Sequence, residues 1–261
     1  MKIHIDTIPV WDAIRQDESC FLCTLARRAE QTWAGRFLGA SVMEPDWRIQ
    51  VNAKGFCARH HQLLYGMGNR LGHALMLESH SAEASENAMA LLGQLRRAAN
   101  SIEGKTGFSR NASKARSAYA ETVDQLDRLA ESCILCEHID DDLKSSVCTV
   151  LHLWKTDPEF QSAFVRCQGF CLPHMRDLVR EAPGMLSGRE LSGFLSALTG
   201  LEETKLKQVQ DNVSWFIKKF DYRYQNEPWK NAKDAVPQAV NALRGWALPG
   251  DQDGVSAEGR G

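Results

Sequence analysis

The chain predicts an all-α protein made of internally duplicated helical units, each clipped by a Cys3His metal site. Three observations carry that expectation. A four-ligand motif occurs twice: Cys20-x2-Cys23 with Gly55-Phe56-Cys57-x2-His60, then Cys133-x2-Cys136 with Gly169-Phe170-Cys171-x2-His174. Helix-start chemistry repeats between the pairs, as Glu44-Pro45-Asp46 and Asp157-Pro158-Glu159, with Pro at the first helical position and acids in the first turn. Apolar residues recur at three- and four-residue spacing through most of the chain.

The correspondence extends beyond the ligands. Pro45, Trp47 and Val51 map onto Pro158, Phe160 and Phe164, and Leu64 maps onto Leu178, with one residue inserted before Gly169. The expected organisation is a first helical repeat over residues 1–100, a basic linker over 101–117, a second repeat with C-terminal helices over 118–247, and a disordered tail over 248–261.

Composition narrows the function classes. A chain of 261 residues with net charge −2 offers no global electrostatic case for nucleic acid or an anionic membrane. No run approaches the roughly 20 apolar residues of a membrane helix, and the start has no apolar leader. These features predict a cytoplasmic protein. Eight cysteines in a reducing compartment point to metal binding or catalysis rather than disulfides.

Taken in order, residues 1–19 read as an extended lead-in and a short helical turn, with Ile3, Ile5, Ile8, Val10 and Trp11 against the core. Residues 20–39 read as a helix. Pro45 opens a short helix that Gly55 ends, Cys57 opens another, and a long helix runs from about Arg70 to Ala99. Residues 100–117 break the pattern, with Lys105, Arg110, Lys114 and Arg116 against Glu103. Copy two ends in a long helix near Leu201–Tyr222, striped by Leu206, Val209, Val213, Phe216, Ile217 and Phe220, and a last helix covers about Ala232–Trp246.

Zinc takes four thiolate or imidazole ligands in a tetrahedron, and Cys3His is a standard structural set. The expected ligands are Cys20, Cys23, Cys57 and His60 at one zinc, and Cys133, Cys136, Cys171 and His174 at a second. Each ion would close a loop of 33 or 34 residues and hold two helices. All the pairs read as helix N-termini, where unpaired N–H groups and the helix dipole stabilise thiolates. The rival readings are small buried cysteines beside a helix-start histidine, and an iron–sulfur cluster, which usually takes four thiolates.

The repeat sorts neighbouring residues. His61 has Met175 as its counterpart, so His60 is the better ligand. Cys148, Cys167, His138 and His152 occur in copy two alone and read as core or surface filler, with an accessory or redox role near the second site as the sharper alternative. Gly66–Gly72 fails as a dinucleotide loop, because its third glycine falls one residue late and no strand precedes it. His73 and His80 share a helix face and read as structural. Asp221, Arg223 and Glu227 with Tyr222 and Trp229 read as a polar-aromatic knot closing the C-terminal region.

With Thr7–Val10, the two C-x2-C/Gly-Phe-Cys-x2-His units, and Asp221-Tyr222-Arg223 followed by Glu227-Pro228, the chain resembles a family of bacterial proteins of unknown function. The resemblance spans all but the basic linker and the tail. It implies an all-helical intracellular protein and brings no activity. The reading is therefore a zinc-binding scaffold with two structural sites and an unidentified protein or small-molecule partner. The alternative is a redox or metal-handling protein, or an enzyme, that uses the second site with Cys148 or Cys167. Nucleic-acid binding through the basic linker is a third reading, weakened by the charge balance.

Overall fold

All regular structure among the described residues is helical. The computed structural model describes residues 3–103 and 110–248; the central six residues of the expected linker, and the expected tail from residue 249, lie outside them. Contacts sort the chain into two compact units, Met1–Arg28 with Asp141–Gly261, and Ala29–Asp140. Each unit draws on residues from both expected repeats, 1–100 and 118–247. The division falls inside helices α2 (Phe21–Leu38) and α7 (Ile134–Thr156).

The first unit contains α1 (Ile3–Ile14), the start of α2, most of α7, α8 (Pro158–Phe164), α9 (Leu172–Met185), α10 (Gly188–Lys218) and α11 (Ala235–Arg244). Helix α1 replaces the expected extended lead-in, and Pro9 lies inside it. Val10, Ala13 and Ile14 explain the difference: their i, i+3, i+4 spacing puts three apolar groups on one buried face, and burial outweighs β-branched propensity. Ile8, expected in the core, is exposed. The core is aromatic. Phe164 lies 5.5 Å from both Phe170 and Phe194, and Trp154 packs edge-on against Phe164 at 5.3 Å.

Helix α10 begins earlier than its expected start near Leu201. Ser187 and Glu190 form the Ser-x-x-Glu pattern of a helix start, and the Ser187 N–H donates to Glu190 Oε2 at 3.5 Å. The buried face of α10 is Phe194, Leu198 and Glu202. The expected stripe lies further along: Leu206, Ile217 and Phe220 are exposed. The C-terminal knot does form, but its centre is Lys219. This buried ammonium donates to the carbonyls of Tyr224 at 2.8 Å and Gln225 at 2.7 Å, and to that of Glu227. Asp221 and Arg223 pair on its surface.

The second unit contains the rest of α2, a 3-10 turn (Ala40–Met43), α3 (Pro45–Lys54), α4 (Ala58–Gly66), α5 (Arg70–Glu103), α6 (Arg110–Glu131) and the start of α7. Most of the expected linker is thus the ends of α5 and α6. Pro45 opens α3 as expected. The glycine-rich stretch is the turn between α4 and α5: Asn69 Oδ1 accepts from the Gly72 N–H at 2.9 Å, and its amide donates to the Leu38 carbonyl at 2.6 Å. Phe37, Val51, Leu64, Met76 and Leu135 are fully buried. His138 stacks on Trp33 with ring centroids 3.9 Å apart, a packing role.

Gly55 ends α3 at φ 60° and ψ −155°, a conformation essentially reserved for glycine. A Cβ there would also lie 2.2 Å from the His80 ring. Gly55→Ala is therefore expected to lose at least about 1–3 kcal/mol in urea unfolding. Gly66→Ala, where a Cβ meets open space, is expected to be neutral or slightly stabilising.

Candidate metal centres

All eight predicted ligands converge, but on different partners from those expected. One group is Cys20, Cys23, Cys171 and His174; the other is Cys57, His60, Cys133 and Cys136. Each C-x2-C pair meets the C-x2-His pair of the opposite copy. The expectation that each ion closes the loop within one copy is thus corrected. The regrouping places each centre wholly within one compact unit.

The local geometry is the same at all four pairs. Cys20, Cys57, Cys133 and Cys171 each accept the first helical bond through their carbonyl, from Thr24, His61, Glu137 and Met175 at 3.3, 2.9, 3.2 and 2.9 Å. Each is the N-cap of its helix, and the second ligand of each pair stands three residues in, over the same helix end. Two helix N-termini therefore face one another at each centre, and each gives two ligands. The x2 spacing follows from this: N-cap and third-turn-position side chains lie one above the other in the first turn.

The distances fit an ion. In the first group, His174 Nδ1 lies 3.4 Å from both Cys20 Sγ and Cys23 Sγ, and Cys23 and Cys171 sulfurs are 3.6 Å apart. In the second, His60 Nδ1 lies 3.4, 3.1 and 3.4 Å from the sulfurs of Cys57, Cys133 and Cys136, and Cys57 and Cys136 are 3.9 Å apart. A tetrahedral zinc with bonds of about 2.3 Å to sulfur and about 2.0 Å to nitrogen spaces its ligands about 3.5–3.8 Å apart. The sulfurs are too far apart for disulfides, and all eight cysteines are unbridged.

Knuckle-like turns deliver the second pairs. Gly169 has φ 79°, and a Cβ there would lie 3.1 Å from both Glu202 and Lys205. The next N–H, of Phe170, donates to buried Glu202 Oε1 at 2.6 Å, while Lys205 bonds the Ser19 carbonyl beside Cys20. Around the second centre, the Ile134 N–H donates to the Gly55 carbonyl at 3.0 Å, and Ser132 Oγ donates to the Lys54 carbonyl at 2.7 Å. Glu30 adds an outer contact: its Oε1 lies 3.2 Å from His60 Nε2, and Arg59 also holds it. This carboxylate fixes the imidazole with Nδ1 toward the sulfurs and increases its basicity as a ligand.

Protons alone satisfy these groups poorly. Burial raises the Cys133 thiol, but hydrogen bonds from His60 and from backbone N–H groups outweigh it and bring Cys133 to about 6. Burial would lower His60, but Cys133 and Glu30 hold its proton and lift it to about 10; Cys171 and Cys20 do the same for His174. Cys136 and Cys23 are pushed above the ordinary thiol range, Cys136 first by burial and Cys23 first by its bond with Cys171. A divalent ion would relieve this crowding. Three thiolates and one imidazole around it would leave a net charge of −1, facing two helix N-termini that would both stabilise it.

The remaining candidates take no part in either group. His61 turns away from His60 toward His73. Cys167 packs at the edge of the first unit's core, and burial raises its thiol to about 11. Cys148 is raised first by burial and then by Glu181. Both extra thiols belong to the unit that holds Cys20, Cys23, Cys171 and His174. Nothing in the sequence pointed to Glu30 or Glu202, since a lone acid on a helix resembles any solvated residue.

These features define a helical protein with two buried Cys3His groups, each able to hold a metal ion. The chain belongs to a family described as "Family of unknown function (DUF6062)", which it matches over residues 1–249. No curated protein matches it, and neither does any solved structure.

Protonation of His60 and Cys136 opposes metal loading at neutral pH. Zinc affinity is therefore expected to rise with pH from 6 to 8, with at least two protons released per ion at the second centre. Titration calorimetry in two buffers of different ionisation enthalpy reads both quantities. An affinity independent of pH would contradict the ligand assignment.

Proposed function

We propose that the chain is a cytoplasmic zinc protein whose two centres are structural, and that it acts as a binding or scaffold protein rather than an enzyme. One observation carries the reading: each centre has four protein ligands at zinc-like spacing, drawn from two helix N-termini. A closed four-ligand shell leaves no open position for a substrate, and soft thiolates with imidazole favour zinc over hard cations. Eight unbridged cysteines suit a reducing compartment. No helix among the described residues is long and apolar enough to cross a membrane.

Two surfaces support a binding role. Ile217, Phe220 and Tyr222 are exposed together at the end of α10. A cleft of about 290 Å³ beside the first centre is lined by Asp17, Lys205 and the carboxamides of Gln168, Gln208, Asn212 and Gln238. These groups suit a small polar ligand, since carboxamides both donate and accept.

The redox alternative rests on Cys167, a thiol packed against the core that also contains Cys20, Cys23 and Cys171. Its raised thiol weakens that reading, because the thiolate is the reactive form. Elemental mass spectrometry of the purified chain before and after mild peroxide separates the two. The scaffold reading predicts two zinc ions and unchanged thiols; fewer than one ion per chain would contradict it, and peroxide-driven zinc loss with Cys167 oxidation would favour the redox reading.

A further inference from the structure

Beside the second centre lies a pair of imidazoles that the Cys3His groups do not use. His61 on α4 and His73 on α5 approach with Nδ1 and Nε2 2.9 Å apart and their rings nearly parallel, 22° between planes. His73 is 6% exposed, and His61 is half-buried with its ring edge-on to Phe56. Burial holds His73 below the ordinary histidine range. Two imidazoles from different helices face one another nitrogen to nitrogen, and in their neutral forms they share one proton and can present two lone pairs to an ion once it moves to an outer nitrogen.

We propose that His61 and His73 form a third, weaker site for an imidazole-preferring divalent ion such as zinc, with water completing the shell. Two nitrogens bound tetrahedrally at about 2.0–2.1 Å sit about 3.3 Å apart, so the pair must open by only a few tenths of an ångström. The pair begins one residue along α4 from His60, a member of the second Cys3His group. His80 is near enough to influence His61, yet it is committed elsewhere: its Nδ1 bonds the Asn52 carbonyl at 2.8 Å and its ring covers Gly55.

The test is calorimetric titration of zinc into the full chain as isolated, with total bound metal counted at saturation. The expected result is one more equivalent in the wild type than in His61→Ala, at half-buried His61, and the same one-equivalent loss in His73→Ala. His80→Ala should retain the extra equivalent. Equal stoichiometry in wild type and His61→Ala would overturn the proposal, and so would loss of the extra equivalent in His80→Ala. Circular dichroism of each variant confirms that the helices remain, and His61→Ala alone decides the matter if His73→Ala fails to fold.

Discussion

Each compact unit depends on one constraint: two helix N-termini must meet around a single charge centre. Such ends carry unpaired N–H groups and partial positive charge, so bringing two together is unfavourable unless something negative lies between them. Three thiolates would supply the negative charge, and a divalent ion would let the thiolates coexist. Neither part suffices alone. Without the cation the ligands are a mismatched set of raised and lowered thiols beside protonated histidines. The surrounding residues serve the same meeting point: Phe21 and Phe170, each next to a ligand cysteine, pack edge-on at 5.1 Å, Glu202 and Lys205 bind the two turns of the first centre, and Glu30 steadies His60 at the second.

The cross-copy pairing has an energetic consequence. Cys23 and Cys171 are 148 residues apart, whereas Cys23 and Cys57 are 34 apart. Closing the longer loop costs roughly 1.3 kcal/mol more in chain entropy. In an unfolded chain, metal would therefore favour ligands within one copy. The aromatic core of the first unit and the Phe37–Leu64–Leu135 core of the second must overcome that preference, and they bury far more than enough apolar surface to do so. A metal held by either group would join parts of the chain remote in sequence.

What was legible in the sequence was local. The four N-cap positions follow from C-x2-C and C-x2-His spacing, and α3 and α8 follow from Pro45 and Pro158. The choice of His60 over His61 followed from the repeat. The start of α10 was present in Ser187-x-x-Glu190 but was obscured by Pro183, Gly184 and Gly188, which resemble loop residues. Helix α1 was hidden by β-branched residues and Pro9, because burial of Val10, Ala13 and Ile14 is a tertiary effect. Which pair of ligands meets which was not legible at all. Two copies of one motif carry the same local information, and loop length argues for the wrong answer. Only the tertiary fold, which brings the N-terminus of α2 to that of α9 and the N-terminus of α4 to that of α7, decides it.

The most direct test of this pairing is the metal content of the double variant Cys23→Ser/Cys171→Ser. Both residues belong to one centre in the structure, so the double variant is expected to lose one zinc ion and keep the other, bound by Cys57, His60, Cys133 and Cys136. Pairing within each copy would instead damage both centres. Loss of both ions from the double variant, with one ion retained in each single variant, would contradict the account.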